Sequence, residues 1–145
     1  LSAVGHGYGE IVSFGRYNPG STISAGVVMT FSTGSEWHPA VGDKSSGPFS
    51  MSVSSSLLGL SMGTHITDGI LLRGFIKATN TSITDALPGQ SVYMGTHPTG
   101  RIISKDEVDT ALTDTGDIIR VVGHVLDPAN GIIHFNPSST WVVRA

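Results

Sequence analysis

The second half of this chain repeats the punctuation of the first at an offset of about 63 residues, the spacing from Gly26 to Gly89. In the first half Ala25-Gly26-Val27-Val28-Met29 leads to Gly34, then to Leu58-Gly59-Leu60, then to Asp68-Gly69-Ile70-Leu71-Leu72-Arg73-Gly74-Phe75. In the second, Pro88-Gly89-Gln90-Ser91-Val92-Tyr93-Met94 leads to Gly100, then to Val122-Gly123-His124-Val125-Leu126, then to Asn130-Gly131-Ile132-Ile133-His134-Phe135. Short apolar runs bounded by glycine turns are the pattern of strands. The chain is therefore predicted to be all-β, built from two similar small barrel-like or sandwich-like units that arose by internal duplication. The units cover about 10–80 and 81–145 and share one core in a single domain, 10–145, preceded by a flexible glycine-rich arm at 1–9.

Composition agrees with this reading. Nineteen glycines and only 13% charged residues fit a sheet protein with many tight turns. At 145 residues the chain can bury a core without metal or disulfide staples, and the absence of cysteine excludes disulfides and thiolate chemistry. A formal net charge of −3 has the wrong sign for attraction to a phosphate backbone, so no nucleic-acid partner is expected. No apolar run approaches the roughly 20 residues of a spanning helix, and no membrane insertion is expected.

Along the chain, Gly5, Gly7 and Gly9 surround His6 and Tyr8 in a segment too permissive to nucleate structure alone. Glu10 to Phe14 reads as a strand, and Val27 to Phe31 as the first arm of a hairpin that closes at Thr33-Gly34 and returns from Trp37. The Ser-rich stretch from Gly42 to Ser56 reads as an exposed loop with at most one edge strand, and Gly69 to Ala78 as a core strand. In the second half, Ser91–Met94 pairs with Arg101–Ile103 across a His97–Gly100 turn. Lys105 to Leu112 has the character of one or two helical turns. Asp117 to Leu126 reads as the strongest strand, turned at Asp127-Pro128-Ala129-Asn130-Gly131 onto Ile132–Phe135, and Trp141–Val143 closes the chain.

No catalytic, cofactor or metal site is expected. The six histidines never fall two to four residues apart, the spacing at which zinc ligands pair on a hairpin or helix. There is no G-x-S-x-G elbow, and Gly5-x-Gly7-x-Gly9 lacks the strand and helix of a dinucleotide fingerprint. A carboxylate pair for glycan hydrolysis would have to come from Asp106, Glu107, Asp109, Asp114 and Asp117, which read as a solvated loop. His124 and His134 face each other across the last hairpin.

Arg73 and Arg120 each interrupt an apolar run, and an unpaired buried guanidinium is too costly to keep. They are candidates for a subunit or inter-repeat interface with Asp68 and Asp117 as partners, the alternative being arginines that point outward from their strands. Candidate surface-binding loops are Trp37-His38 and the Thr96 to Thr99 turn, with Thr96, His97 and Thr99. Trp37 and Trp141 also fit core or interface positions.

The order of the segments GEIVSFG, AGVVMTFSTGSEWHPA, SSSLLGLSMGTHITDGILLRGFIKA, PGQSVYMGTHPTGRI and TGDIIRVVGHVLDPANGIIHFNPSSTWVVRA resembles a C-terminal module of fibre-like virion proteins of tailed bacteriophages, cyanophages in particular. The resemblance spans Gly9 to Ala145 and is most specific at Asp68–Phe75, Gly116–Leu126 and Gly131–Trp141. The Gly42–Ser56 loop departs from it, being Ser-rich where that family tends to be acidic. The duplicated plan is also similar to that of small β-barrel proteins that decorate phage heads.

The resemblance implies a non-enzymatic structural protein located in the virion, a surface-exposed fibre or appendage module involved in host attachment. The second implication is a capsid decoration protein that stabilises the head through its N-terminal arm. Expected partners are two further copies in a homotrimer that covers apolar strand faces, other virion proteins (fibre or major capsid protein), and a host cell-surface glycan.

Overall fold

The structure, a computed structural model, describes residues 5–19, 23–43, 51–52, 57–78, 81–95 and 100–145. The first half contributes β1 (Gly7–Val12), β2 (Arg16–Tyr17), β3 (Val28–Ser32), β4 (Glu36–Val41), β5 (Met51–Ser52), β6 (Leu58–Ser61) and β7 (Ile70–Lys77). The second contributes β8 (Thr81–Ser82), β9 (Ser91–Met94), β10 (Ile102–Ile103), α1 (Lys105–Ala111), β11 (Ile118–Ile119), β12 (Val121–Asp127), β13 (Ile132–Phe135) and β14 (Val142–Val143). The fold is all-β. One large mixed sheet runs β2-β4-β3-β6-β7-β13-β12-β9-β10-β8, with β1 added on β7 and β5 on β4, while β11 and β14 form a separate ribbon.

The two halves follow the same order of pairing. In the first, hairpin β3–β4 is followed by β6, which lies beside β3 and pairs onward to β7; in the second, hairpin β9–β10 is followed by β12, which lies beside β9 and pairs onward to β13. A two-residue strand lies parallel to the outer hairpin arm in each, β2 on β4 and β8 on β10. Register agrees too. Met29 faces Gly59 as Val92 faces Gly123, and Leu60 faces Leu71 as His124 faces His134.

The halves share their interior. Val28, Leu60, Leu71 and Ile76 pack in one buried cluster with Val92, Met94, Val122 and Phe135. Burial of this apolar surface is the main driving force for holding the halves together. A second cluster gathers Ile23, Met29, Trp37 and Ile70, and a third places Ile103 and Leu112 around Val108 on the inner face of α1. That helix begins where Ser104 caps it, its side chain accepting from the Glu107 N–H at 3.3 Å, with Asp106 and Glu107 in the first turn facing the positive end of the helix dipole.

Two expectations change. The glycine-rich segment is not a free arm from Gly5 onward: the Gly5 N–H donates to the Lys77 carbonyl at 2.8 Å, and Gly7 to Val12 pair along β7. Residues 1–4 lie outside the described residues. The single strand expected from Asp117 to Leu126 is broken at Arg120, so that β11 pairs with β14 while β12 joins the large sheet.

The connection between the halves runs through β7. Strand β1 pairs along β7 from Ile70 to Ile76 and so occupies one of its edges. The other edge is divided: β6 faces Ile70 and Leu71, and β13 faces Gly74 to Lys77. Leu72 and Arg73 fall between the two ladders, where β6 and β13 part. The sheet is forked at that point.

Candidate functional site

Cross-strand partners in an antiparallel sheet share a face. Tyr8 faces Phe75, Phe75 faces His134, His134 faces His124, and His124 faces Ser91. These registers carry one continuous row across β1, β7, β13, β12 and β9. The neighbours Ile76, Ile133, Val125 and Val92 point to the opposite, buried face, so the row lies outward. Tyr8 is 70% exposed and Phe75 42%. The Phe75 and His134 rings lie 4.8 Å apart between centroids, close enough to brace each other.

One step further along the same face lies a charged pair. Arg73 Nη2 is 2.8 Å from Glu10 Oε1, across directly opposed positions of β7 and β1. This pair borders the fork, where a cavity of about 350 Å³ opens. Its walls include Leu72 and Arg73 of β7, Leu57 ahead of β6, and Asn136 and Pro137 after β13, the positions at which the two ladders separate. Arg120, at the break between β11 and β12, also lines it. The Arg120 Nε donates to the Ser138 carbonyl at 2.8 Å, and its guanidinium carbon lies 5.8 Å from the centre of the Trp141 ring, within cation–π reach. Burial pushes the Arg120 pKa down from its ordinary value, the mark of a cation drawn partly out of water.

A second cavity, about 440 Å³, lies between Tyr17, Ile23 and the 64–67 turn. The Tyr17 hydroxyl donates to the Gly63 carbonyl at 3.2 Å, and burial, with a smaller effect of the Asp68 charge, raises its pKa to about 12. Among the described residues, no three His, Asp or Glu side chains converge to hold a metal ion.

No family model, curated protein or solved structure matches the chain.

The residues singled out from sequence divide among the readings open for them. Trp37 is a core residue rather than part of a binding loop: it is 2% exposed, packs on Phe31 at 4.9 Å, and donates its Nε1 proton to the Phe14 carbonyl at 2.8 Å. A ring so enclosed has no face to offer a ligand. His38 is half-buried, its Nε2 3.5 Å from Glu36 Oε1. Thr96, His97 and Thr99 lie outside the described residues. Arg73 takes Glu10 as its partner, whereas Asp68 caps the 66–68 turn, its Oδ2 accepting from the His65 N–H at 3.1 Å. Asp117 is buried and accepts from the Asp114 N–H at 2.8 Å.

Phe75 was not among the sequence candidates, because it lies in a strand read as core, and Tyr8, one of three tyrosines able to stack on a sugar, lies in the segment read as an arm. The signal for Phe75 was present: from Arg73 onward the run alternates Arg73, Phe75, Lys77 against Gly74, Ile76, Ala78, which places Phe75 with the charges.

Proposed function

We propose that this chain is a non-enzymatic structural module of a tailed-phage virion, carried on a fibre or appendage, and that it attaches to the host surface through the outward row Tyr8–Phe75–His134–His124. The exposed row is the observation that carries the reading. Its rings stand on a paired sheet, so little conformational entropy is lost when a ligand settles on them. Flat aromatic faces beside the hydrogen-bonding groups of Glu10, Arg73, His124 and Ser91 suit a carbohydrate, whose C–H faces cover a ring while its hydroxyls take polar partners.

The homotrimer belongs to the same reading. Trp141, Val142 and Val143 expose 38%, 61% and 53% of their surface at the C-terminal ribbon, apolar area of the kind that further copies cover. Sedimentation at micromolar concentration should give a trimer, and Val142→Glu should shift it to monomer.

The rival reading, a protein that decorates the capsid, relies on an N-terminal arm reaching a neighbouring subunit. Residues 5–12 are instead held on the chain's own β7, which favours the appendage. Antibody labelling of particles by electron microscopy separates the two. Label at fibre ends is expected; label spread over the head would replace the attachment reading with the capsid one, and unlabelled particles would remove both.

A further inference from the structure

We infer that the cavity between β2 and the 64–67 turn is a second ligand site, shaped for a single uncharged sugar ring. Its lining shares no residue with the outward row Tyr8–Phe75–His134–His124. The inference rests on the carbohydrate reading above for the kind of ligand, and on the cavity itself for the place and the charge.

Both walls are fixed by bonds within the chain. Tyr17, Asn18 and Pro19 form one of them, at the end of β2, which pairs along β4. Glu36 of β4 ties that segment down: its carboxylate takes Arg16 Nη2 at 2.8 Å and Asn18 Nδ2 at 3.4 Å, while the Asn18 N–H donates to the Trp37 carbonyl at 2.9 Å. The other wall is the turn. The Asp68 N–H donates to the His65 carbonyl at 2.9 Å, and the Gly69 N–H to that of Ile66 at 3.0 Å. Asp68 folds its carboxylate back over Gly63, where a Cβ would fall 2.3 Å from Oδ2, and holds the His65 N–H with the same oxygen. The Tyr17 hydroxyl joins the walls through its bond to the Gly63 carbonyl. A cavity held in this way loses little conformational entropy when it is filled.

The lining is amphipathic and contains no Lys, Arg, Asp or Glu. Tyr17, Ile23 and Ile66 supply apolar surface and pack in one cluster. Thr64, His65 and Thr67, all exposed, supply hydroxyl and imidazole groups. A pyranose is divided in the same manner, with C–H bonds on its faces and hydroxyls around its edge. The volume, about 440 Å³, lies at the low end of the roughly 300–1,000 Å³ of small-molecule sites, which fits one ring rather than a chain of them. Charge selects further. Burial, and to a smaller degree the Asp68 carboxylate, keep the Tyr17 phenol protonated. With neither Lys nor Arg in the lining to offset that carboxylate, an acidic sugar is repelled and a neutral one is accepted.

The test is a titration of the full chain followed by nuclear magnetic resonance, reading the Tyr17 ring protons and the Thr64 to Thr67 amides against the ring protons of Tyr8 and Phe75. The probes are the methyl glycosides of glucose, galactose, mannose and N-acetylglucosamine, with D-glucuronate as the charged counterpart. Saturable shifts at Tyr17 and the turn are expected with at least one neutral glycoside, and binding of glucuronate there at least about threefold weaker. The double variant Thr64→Val, Thr67→Val, checked for fold by circular dichroism, should weaken the glycoside by roughly tenfold and leave any shifts of Tyr8 and Phe75 unaltered. Shifts at Tyr8 and Phe75 alone would overturn the second site and leave the contact row standing, whereas shifts at Tyr17 and the turn alone would uphold the site and overturn the row. Glucuronate bound as tightly as the glycosides, or full affinity in the double variant, would overturn the inferred charge and contacts. No response at either place would overturn the inference together with the carbohydrate reading beneath it.

Discussion

Gly9 and Gly74 stand directly opposite each other on β1 and β7, with φ of +145° and +146°. Each lies where the other strand's backbone leaves no room: a Cβ on Gly74 would fall 2.0 Å from the Tyr8 carbonyl oxygen, and one on Gly9 2.1 Å from that of Arg73. The pair allows β1 to sit close on β7, and so sets Tyr8 beside Phe75. Gly74→Ala should cost roughly 3–5 kcal/mol through strain and backbone displacement together. Gly89 is the control: its φ is +89° but nothing lies within 4 Å, so Gly89→Ala should cost only about 1–2 kcal/mol. Urea denaturation measures both, and hydrogen exchange should show protection lost from β1 in the Gly74 variant.

Trp37 predicts a stability effect without a binding effect. It completes a stack with Phe31 and Phe14, whose rings lie 5.6 Å apart, and it satisfies the Phe14 carbonyl. Trp37→Ala should cost about 3–5 kcal/mol, as large aromatic deletions in cores do. Trp37→Phe keeps most of the packing, loses the hydrogen bond, and should cost about 1–2 kcal/mol. Neither should alter glycan affinity in protein that remains folded.

Tyr17 supplies a pH dependence whose sign follows from linkage. Its pKa rises from 10.0 to about 12 on folding, so between those values the folded state holds a proton that the unfolded chain has released. Stability from this group is fully present below pH 10 and is lost as pH rises through about 12. Denaturation midpoints should fall over that interval, and Tyr17→Phe should flatten the fall. An equal decline in both proteins would assign it to other groups.

Much of the fold is legible in the sequence, and the reasons are local. Asn130-Gly131 turns β12 onto β13, with Gly131 at φ +68° and Asp127 Oδ2 accepting from Asn130 Nδ2 at 2.8 Å, and such chemistry can be read from five consecutive residues. The helical character of Lys105 to Leu112 was local in the same way, and α1 occupies Lys105–Ala111. What stayed hidden depends on distant partners. The segment around Gly7 and Gly9 has no local preference for a strand; it becomes one because Gly74, more than sixty residues away, admits it. Arg120 was readable as a charge within an apolar run, yet its surroundings come from Ser138, Trp141 and the gap in β7, which no spacing along the chain announces. The sequence left Trp37 open between a binding loop and a core or interface position, because the neighbours that bury it, Phe14 and Phe31, lie on other segments.

The central claim is that an outward aromatic row is the working surface of this molecule. A glycan array probed with the native chain and with the double variant Tyr8→Ala, Phe75→Ala tests it directly, since both side chains are exposed and their removal should leave the melting temperature within a few degrees. The account predicts that the native chain retains a defined set of glycans and that the folded double variant retains none of these. Equal retention by both proteins, or none by either, would contradict it.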